Sequence, residues 1–131
     1  MEVRRDSIDP YAEEIHLDAL FTTVLILHLI GLAAILGGAI YQWRTSAKFT
    51  NLWTLWGARA QLLTGLALAG IVSSSKSDGA PSPAWMAVKL VIALAIVAVS
   101  EMNAKKVKIP HAARLIVALT TVNVIVAVAW H

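Results

Sequence analysis

Four long apolar runs dominate this sequence and constrain its fold more than any other feature. They extend over residues 19–43, 52–73, 84–102 and 112–130. About 20 apolar residues are enough for a helix to cross a hydrocarbon core of about 30 Å. Hydrophobic residues make up 58% of the chain and charged residues 15%, whereas soluble domains have about 45–50% and about 25%. The sequence therefore predicts an all-α integral membrane protein, a bundle of four transmembrane helices.

The 131 residues are expected to form a single membrane domain with a short outer extension, residues 1–18. This extension contains several acidic residues, and no small-residue cleavage site follows a short apolar core, so it does not resemble a cleavable signal peptide. The chain has no cysteine. That composition excludes disulfides, iron–sulfur clusters and cysteine-ligated zinc.

Basic residues predict the orientation of the bundle. Five of them follow the first and third runs: Arg44, Lys48, Lys105, Lys106 and Lys108. The second connection has only Lys76, which Asp78 balances. The positive-inside rule then places the first and third loops in the cytoplasm and both termini on the outer side. We expect a multi-pass protein of the plasma (inner) membrane, whose net charge of +3 interacts with the lipid bilayer and not with nucleic acid.

Three polar side chains lie inside the apolar runs at comparable depth. At a rise of about 1.5 Å per residue, His28, Lys89 and Asn123 fall roughly 6–12 Å from the outer ends of their helices. Ionisable groups at membrane depth are rare and commonly functional. We therefore predict a polar site in the outer half of the bundle. His28 also shares one helix face with Gly31, Ile35 and Gly38, where small residues favour close helix packing.

His28 has two interpretations. Its neutral imidazole can make a helix–helix hydrogen bond, or it can ligate haem iron or accept a proton from a bound porphyrin or quinone. The other histidines, His16, His111 and His131, lie at or beyond the ends of the runs, so a bis-histidine haem within one subunit is not expected. Lys89 is suited to pairing with a carboxylate, including a porphyrin propionate.

A second group of polar residues lies toward the predicted cytoplasmic side. Arg59 and Gln61 are about two turns into the second run, and Glu101 is near the inner end of the third. The spacing allows a structural ion pair between Arg59 and Glu101. The alternative is that Arg59 extends to the lipid headgroups.

Two stretches of the chain have a distinctive residue order. HLIGLAAILGGAIYQWR begins at His28, and WMAVKLVIALAIVAVSE places Trp85 four residues before Lys89. They resemble the HemJ-type protoporphyrinogen IX oxidases, small bacterial proteins with four or five membrane helices. The resemblance implies that the protein binds haem or porphyrin and that His28 and Lys89 form the catalytic pair, with His28 as the candidate iron ligand. Asn123, at the same depth, is the third candidate cofactor-binding residue, although Val124 follows it where the family tends to have Glu.

Three classes of function remain open at this point. The first is a redox protein that binds haem or porphyrin between its helices and passes electrons to a quinone or another haem protein. The second is a non-catalytic accessory or assembly subunit of a larger membrane complex, such as a respiratory complex, or a homo-oligomer. Little soluble mass and helix faces lined by Gly and Ala favour it. The third, a small channel or transporter, is disfavoured because the third and fourth runs offer mostly Val, Ala, Ile and Leu, without the repeated polar positions of a pore. No internal repeat strong enough for an inverted duplication is visible either, which disfavours a transporter built from repeats.

Overall fold

The computed structural model describes residues 10–74 and 82–129, and all regular structure in these residues is helical. In chain order the helices are α1 (Pro10–Arg44), α2 (Leu52–Ser74), α3 (Pro83–Ala104) and α4 (Ala112–Ala129). Each is long and apolar enough to cross a membrane, so the four predicted helices are confirmed. Residues 1–9, 75–81 and 130–131 lie outside the described residues, and with them Lys76, Asp78 and the predicted helix end at 130.

Helix α1 is much longer than a single membrane crossing requires. Its 35 residues correspond to about 52 Å at about 1.5 Å per residue, against a hydrocarbon core of about 30 Å. Residues 11–18, assigned to the outer extension from the sequence, belong to this same continuous helix, and the side chains of residues 11–20 are exposed. The first part of α1 therefore continues the helix beyond the length of one crossing, with its side chains exposed.

The helices form a closed cycle in which each packs against two neighbours. Both α1 and α3 pack against α2 and α4, and the most extensive interface lies between α1 and α2. Residues 45–51 and 105–111 connect the helices at one end, which we call the basic end because Lys48, Lys105, Lys106 and Lys108 lie there. We call the opposite end the cavity end. It contains the starts of α1 and α3 and the final turns of α2 and α4.

Glycines allow α1 and α2 to approach each other closely. A Cβ atom on Gly57 would lie 2.9 Å from the Gly31 carbonyl oxygen and 2.9 Å from the Ile35 backbone nitrogen. Gly38, farther along the same face of α1, lies against Thr54 of α2. Lipid gives little hydrophobic drive for helix association, so close backbone contact at small residues contributes much of the stability of such an interface.

Replacing Gly57 by alanine is expected to destabilise the bundle, although alanine favours helix formation over glycine by about 1 kcal/mol. The added methyl group meets α1 backbone, and overpacking of this kind costs about 1–3 kcal/mol. Gly37 provides the matched control because, apart from the neighbouring backbone of α1 itself, no atom of the described residues lies within 4 Å of its Cβ position. Thermal unfolding in one detergent should show a lower midpoint for Gly57→Ala than for Gly37→Ala. Equal midpoints would contradict the close packing of α1 on α2.

A layer of isoleucines closes the bundle between its two ends. Ile35, Ile96 and Ile116 are fully buried or nearly so and pack in one apolar cluster with Ala39 and Ala58. We call these three side chains the isoleucine layer. It separates the polar residues of the cavity end from those of the basic end.

At the basic end, Asn103 joins α3 to α1 and to the first loop. The side chain is only 1% exposed. Its Oδ1 accepts hydrogen bonds from Gln42 Nε2 at 3.2 Å and Thr50 Oγ1 at 3.0 Å. Its Nδ2 donates to the Val107 carbonyl at 3.3 Å and the Lys48 carbonyl at 3.5 Å. One buried amide on α3 thus satisfies polar groups from α1 and from both loops at this end.

Candidate functional site

An apolar cavity lies between the helices at the cavity end. Its volume is about 560 Å³, within the range of about 300–1,000 Å³ that is usual for small-molecule and cofactor sites. Its wall consists mainly of apolar side chains from α1, α2 and α3. Polar or amphipathic side chains reach it at a few positions: His28, Gln61, Ser73, Trp85, Lys89 and Asn123. The three residues singled out by depth in the sequence therefore line one cavity.

The His28 imidazole lies between two side chains of α2. Its Nδ1 is 2.8 Å from Thr64 Oγ1, and its Nε2 is 2.8 Å from Gln61 Nε2. Thr64 Oγ1 also donates to the Ala60 carbonyl at 2.6 Å. Both ring nitrogens thus have hydrogen-bond partners within the chain.

Two glycines make room for this arrangement. A Cβ atom on Gly65 would lie 3.3 Å from His28 Cε1, and one on Gly31 would lie 3.2 Å from Gln61 Oε1. Four residues of α2, at positions 57, 61, 64 and 65, follow the spacing of three and four that defines one helix face. Glycine on each helix therefore lets the ring and the amide fit between the two backbones.

Lys89 is the charged residue of the cavity wall. Its Nζ lies 4.4 Å from the centre of the Trp85 ring, four residues earlier on α3. Trp85 Nε1 donates to the Val126 carbonyl of α4 at 2.9 Å, which fixes the indole plane. Ser82 caps α3, accepting a hydrogen bond from the Trp85 backbone nitrogen at 3.2 Å. The ring that faces the lysine is therefore held from two directions.

Within the described part of the chain, the Lys89 ammonium has neither a carboxylate partner nor a hydrogen bond. None of the described residues that line the cavity is Asp or Glu. A cation–π contact offsets only part of the cost of a charge in apolar surroundings. The site therefore favours a ligand that brings an anionic group.

Asn123 extends into the bundle from α4 and is 9% exposed. Its Oδ1 is buried and has no hydrogen-bond partner among residues 10–74 and 82–129. A buried amide oxygen without a partner is uncommon and calls for an explanation. Because Asn123 lines the cavity, its amide is available to a bound ligand.

Arg59 and Glu101 lie elsewhere, on the surface between α2 and α3. Arg59 Nε is 2.5 Å from Glu101 Oε1, and their side chains are 38% and 26% exposed. The guanidinium also stacks over the Trp56 ring at 4.9 Å. The two residues that the sequence paired are thus in contact, outside the cavity. Exposed pairs of this kind contribute little to stability in water, because solvent screens the two charges.

Gln61 is the site residue that the sequence reasoning assigned to the wrong group. It was placed with Arg59 on the predicted cytoplasmic side, but its amide contacts His28 in the cavity. Two residues that are two positions apart on a helix point about 200° away from each other, because each residue turns the helix by about 100°. Gln61 lies four residues from both Gly57 and Gly65 and so shares a helix face with them. That spacing was the sequence signal that could have separated Gln61 from Arg59.

Among the described residues, no group of three or more His, Cys, Asp and Glu side chains is arranged to hold a metal ion. Comparison with protein-family models, with curated proteins and with solved structures gave no match. The site is therefore interpreted from its own geometry and chemistry.

Proposed function

We propose that this protein binds a haem or a porphyrin in the cavity between its helices and takes part in the redox chemistry of that ring. The observation that carries the proposal is the Lys89 ammonium, which lacks an anionic partner in the described chain and shares an apolar cavity of about 560 Å³ with His28. A tetrapyrrole combines a large apolar ring with carboxylate side chains. The apolar ring is suited to the apolar side chains of the cavity wall, and the carboxylates are suited to Lys89.

Different residues of the cavity would hold different parts of such a ligand. Lys89 would pair with a propionate, the apolar wall would pack on the ring, and Asn123 would donate a hydrogen bond from its amide nitrogen to a propionate. A bound tetrapyrrole supplies the redox chemistry, while the chain excludes water and provides a proton site at His28. Iron ligation by His28 requires one of its ring nitrogens to lose its present partner, because both are engaged.

The basic residues support a plasma-membrane location with the basic end in the cytoplasm. Arg44 ends α1, and four lysines follow in the two loops of that end. By the positive-inside rule both termini and the cavity then belong to the outer half of the membrane. A lipid-soluble ring would reach the cavity from the bilayer.

Titration of the purified protein in lipid nanodiscs with protoporphyrin IX and with haem tests the proposal. We expect saturable binding, seen as quenched porphyrin fluorescence and as a shifted Soret band. Ala69→Phe places a ring inside the cavity and is expected to weaken both ligands by about 5–150-fold, the factor that corresponds to an overpacking cost of about 1–3 kcal/mol.

Ala33→Phe is the matched control, since Ala33 is exposed on α1 and does not line this cavity. It should bind both ligands like the wild type. Empty nanodiscs give the baseline for partition into lipid. A wild-type signal no greater than this baseline would overturn the proposal.

A shallow groove favours the accessory-subunit function as a second candidate. It lies at the surface of α1 and α2, has a volume of about 360 Å³ and is lined by residues that include Ala33, Gly37, Tyr41 and Trp53. Small residues on an exposed face of a membrane helix permit close approach of another helix. Failure to bind either ring, together with stoichiometric co-purification with respiratory subunits, would favour this function.

A further inference from the structure

The contacts of the Thr64 hydroxyl indicate which nitrogen of His28 carries the proton. A hydroxyl has one hydrogen, and Thr64 Oγ1 lies 2.6 Å from the Ala60 carbonyl oxygen, which can only accept. The Gln61 carbonyl oxygen lies 3.4 Å away on the same side, so with its hydrogen directed to these carbonyls Thr64 Oγ1 accepts in its 2.8 Å contact with His28 Nδ1. The ring nitrogen that donates to it is the protonated one.

The Gln61 amide then covers the second ring nitrogen. In a neutral ring protonated at Nδ1, Nε2 has a lone pair and accepts from the Gln61 Nε2–H group at 2.8 Å. The other end of the amide, Oε1, is buried and has no partner among the described residues. Because Gln61 lines the cavity, its side chain has free space to turn into.

We propose that Thr64 and Gln61 are positioning residues for His28. Thr64 holds the proton on Nδ1, and Gln61 caps the Nε2 lone pair until a ligand in the cavity draws the amide away. His28 then presents a basic nitrogen of defined orientation to iron or to a ring proton. Fixing one ring nitrogen through the hydrogen bond of the other is how proteins prepare a histidine for ligation or proton transfer. The capping role rests on the proposed function, whereas the tautomer does not.

Nitrogen NMR of the ligand-free protein tests the tautomer directly. With ¹⁵N-labelled histidine in nanodiscs, the His28 signals are those that disappear in His28→Asn. We expect one protonated nitrogen, Nδ1, and one bare nitrogen, Nε2. Protonation of Nε2 alone, or of both nitrogens, would overturn the proposal.

Matched variants separate positioning from a general structural role. Thr64→Val removes the acceptor for Nδ1–H and should move the proton to Nε2, where a turned Gln61 amide can accept it through Oε1. Thr64→Ser keeps the hydroxyl and should restore the wild-type signals. Thr121→Val is the control, because the exposed Thr121 bonds back to the Val117 carbonyl in the same way but lies away from His28.

Gln61→Leu tests the cap. It removes the amide and keeps an apolar side chain of similar size, so haem should bind about fivefold tighter, the factor that one neutral hydrogen bond is worth. Protoporphyrin IX, which lacks iron, should bind as it does to the wild type. Unchanged haem affinity in a protein that binds both rings would refute the cap, whereas failure of the wild type to bind either ring would refute the proposed function and leave the tautomer result standing.

Discussion

Replacing Lys89 by methionine is expected to lower the affinity for protoporphyrin IX by about 10–150-fold. Hydrogen bonds to charged groups contribute about 1.5–3 kcal/mol, and each 1.4 kcal/mol corresponds to about a factor of ten. Methionine keeps the length and the apolar stem of lysine but cannot pair with a carboxylate. Fluorescence titration in nanodiscs measures the change.

Changing the ligand in parallel shows whether the lost interaction is the ion pair. The dimethyl ester of the porphyrin has the same ring without free carboxylates, so the wild type should bind it more weakly and Lys89→Met should cause little further loss. Lys48→Met is the control, since this exposed lysine lies at the basic end. If Lys89→Met weakened the acid and the ester equally, Lys89 would act through packing and not through its charge.

Replacing Asn103 by alanine is expected to lower the free energy of unfolding by about 3 kcal/mol. The substitution leaves Gln42 and Thr50 without the Oδ1 acceptor they share and the Val107 carbonyl without its side-chain donor. Leaving a buried polar group unsatisfied costs about 1–3 kcal/mol. Denaturation in mixed detergent micelles, followed by circular dichroism, measures the loss.

Asn123→Ala is the matched control for this experiment. Asn123 is also buried, but its Oδ1 has no partner in the described chain, so its removal should change stability by about 1 kcal/mol or less. Comparable losses in the two variants would show that the hydrogen bonds of Asn103 do not hold the basic end together.

The sequence was sufficient to predict the helices and the depth of the polar residues. The lengths of the apolar runs give the number of membrane crossings. Because a helix rises by a constant distance per residue, the position of a residue in its run gives its depth. This is why His28, Lys89 and Asn123 were expected at one level, and the three do line one cavity. Their roles in binding and catalysis stay predictions that the experiments above address.

The direction in which each side chain points around its helix axis was harder to predict from the sequence. Arg59 and Gln61 are two residues apart, yet one faces Glu101 and the other His28, and only the positions of α1 and α3 determine which. Asn103 was missed for a different reason. Polar residues at the ends of apolar runs usually face headgroups and water, so nothing in the chain distinguishes a buried amide there from an ordinary interfacial one.

Membranes that store energy as a proton gradient tolerate very little leakage. Water that enters the cavity meets the hydrocarbon of Ile35, Ile96 and Ile116 before it reaches the amides of the basic end, and an apolar barrier of this kind does not conduct ions. Under the proposed function, a proton exchanged at His28 would therefore return to the end of the bundle from which it came. A ring bound in the cavity would then respond to the pH at the cavity end of the bundle and not to that at the basic end.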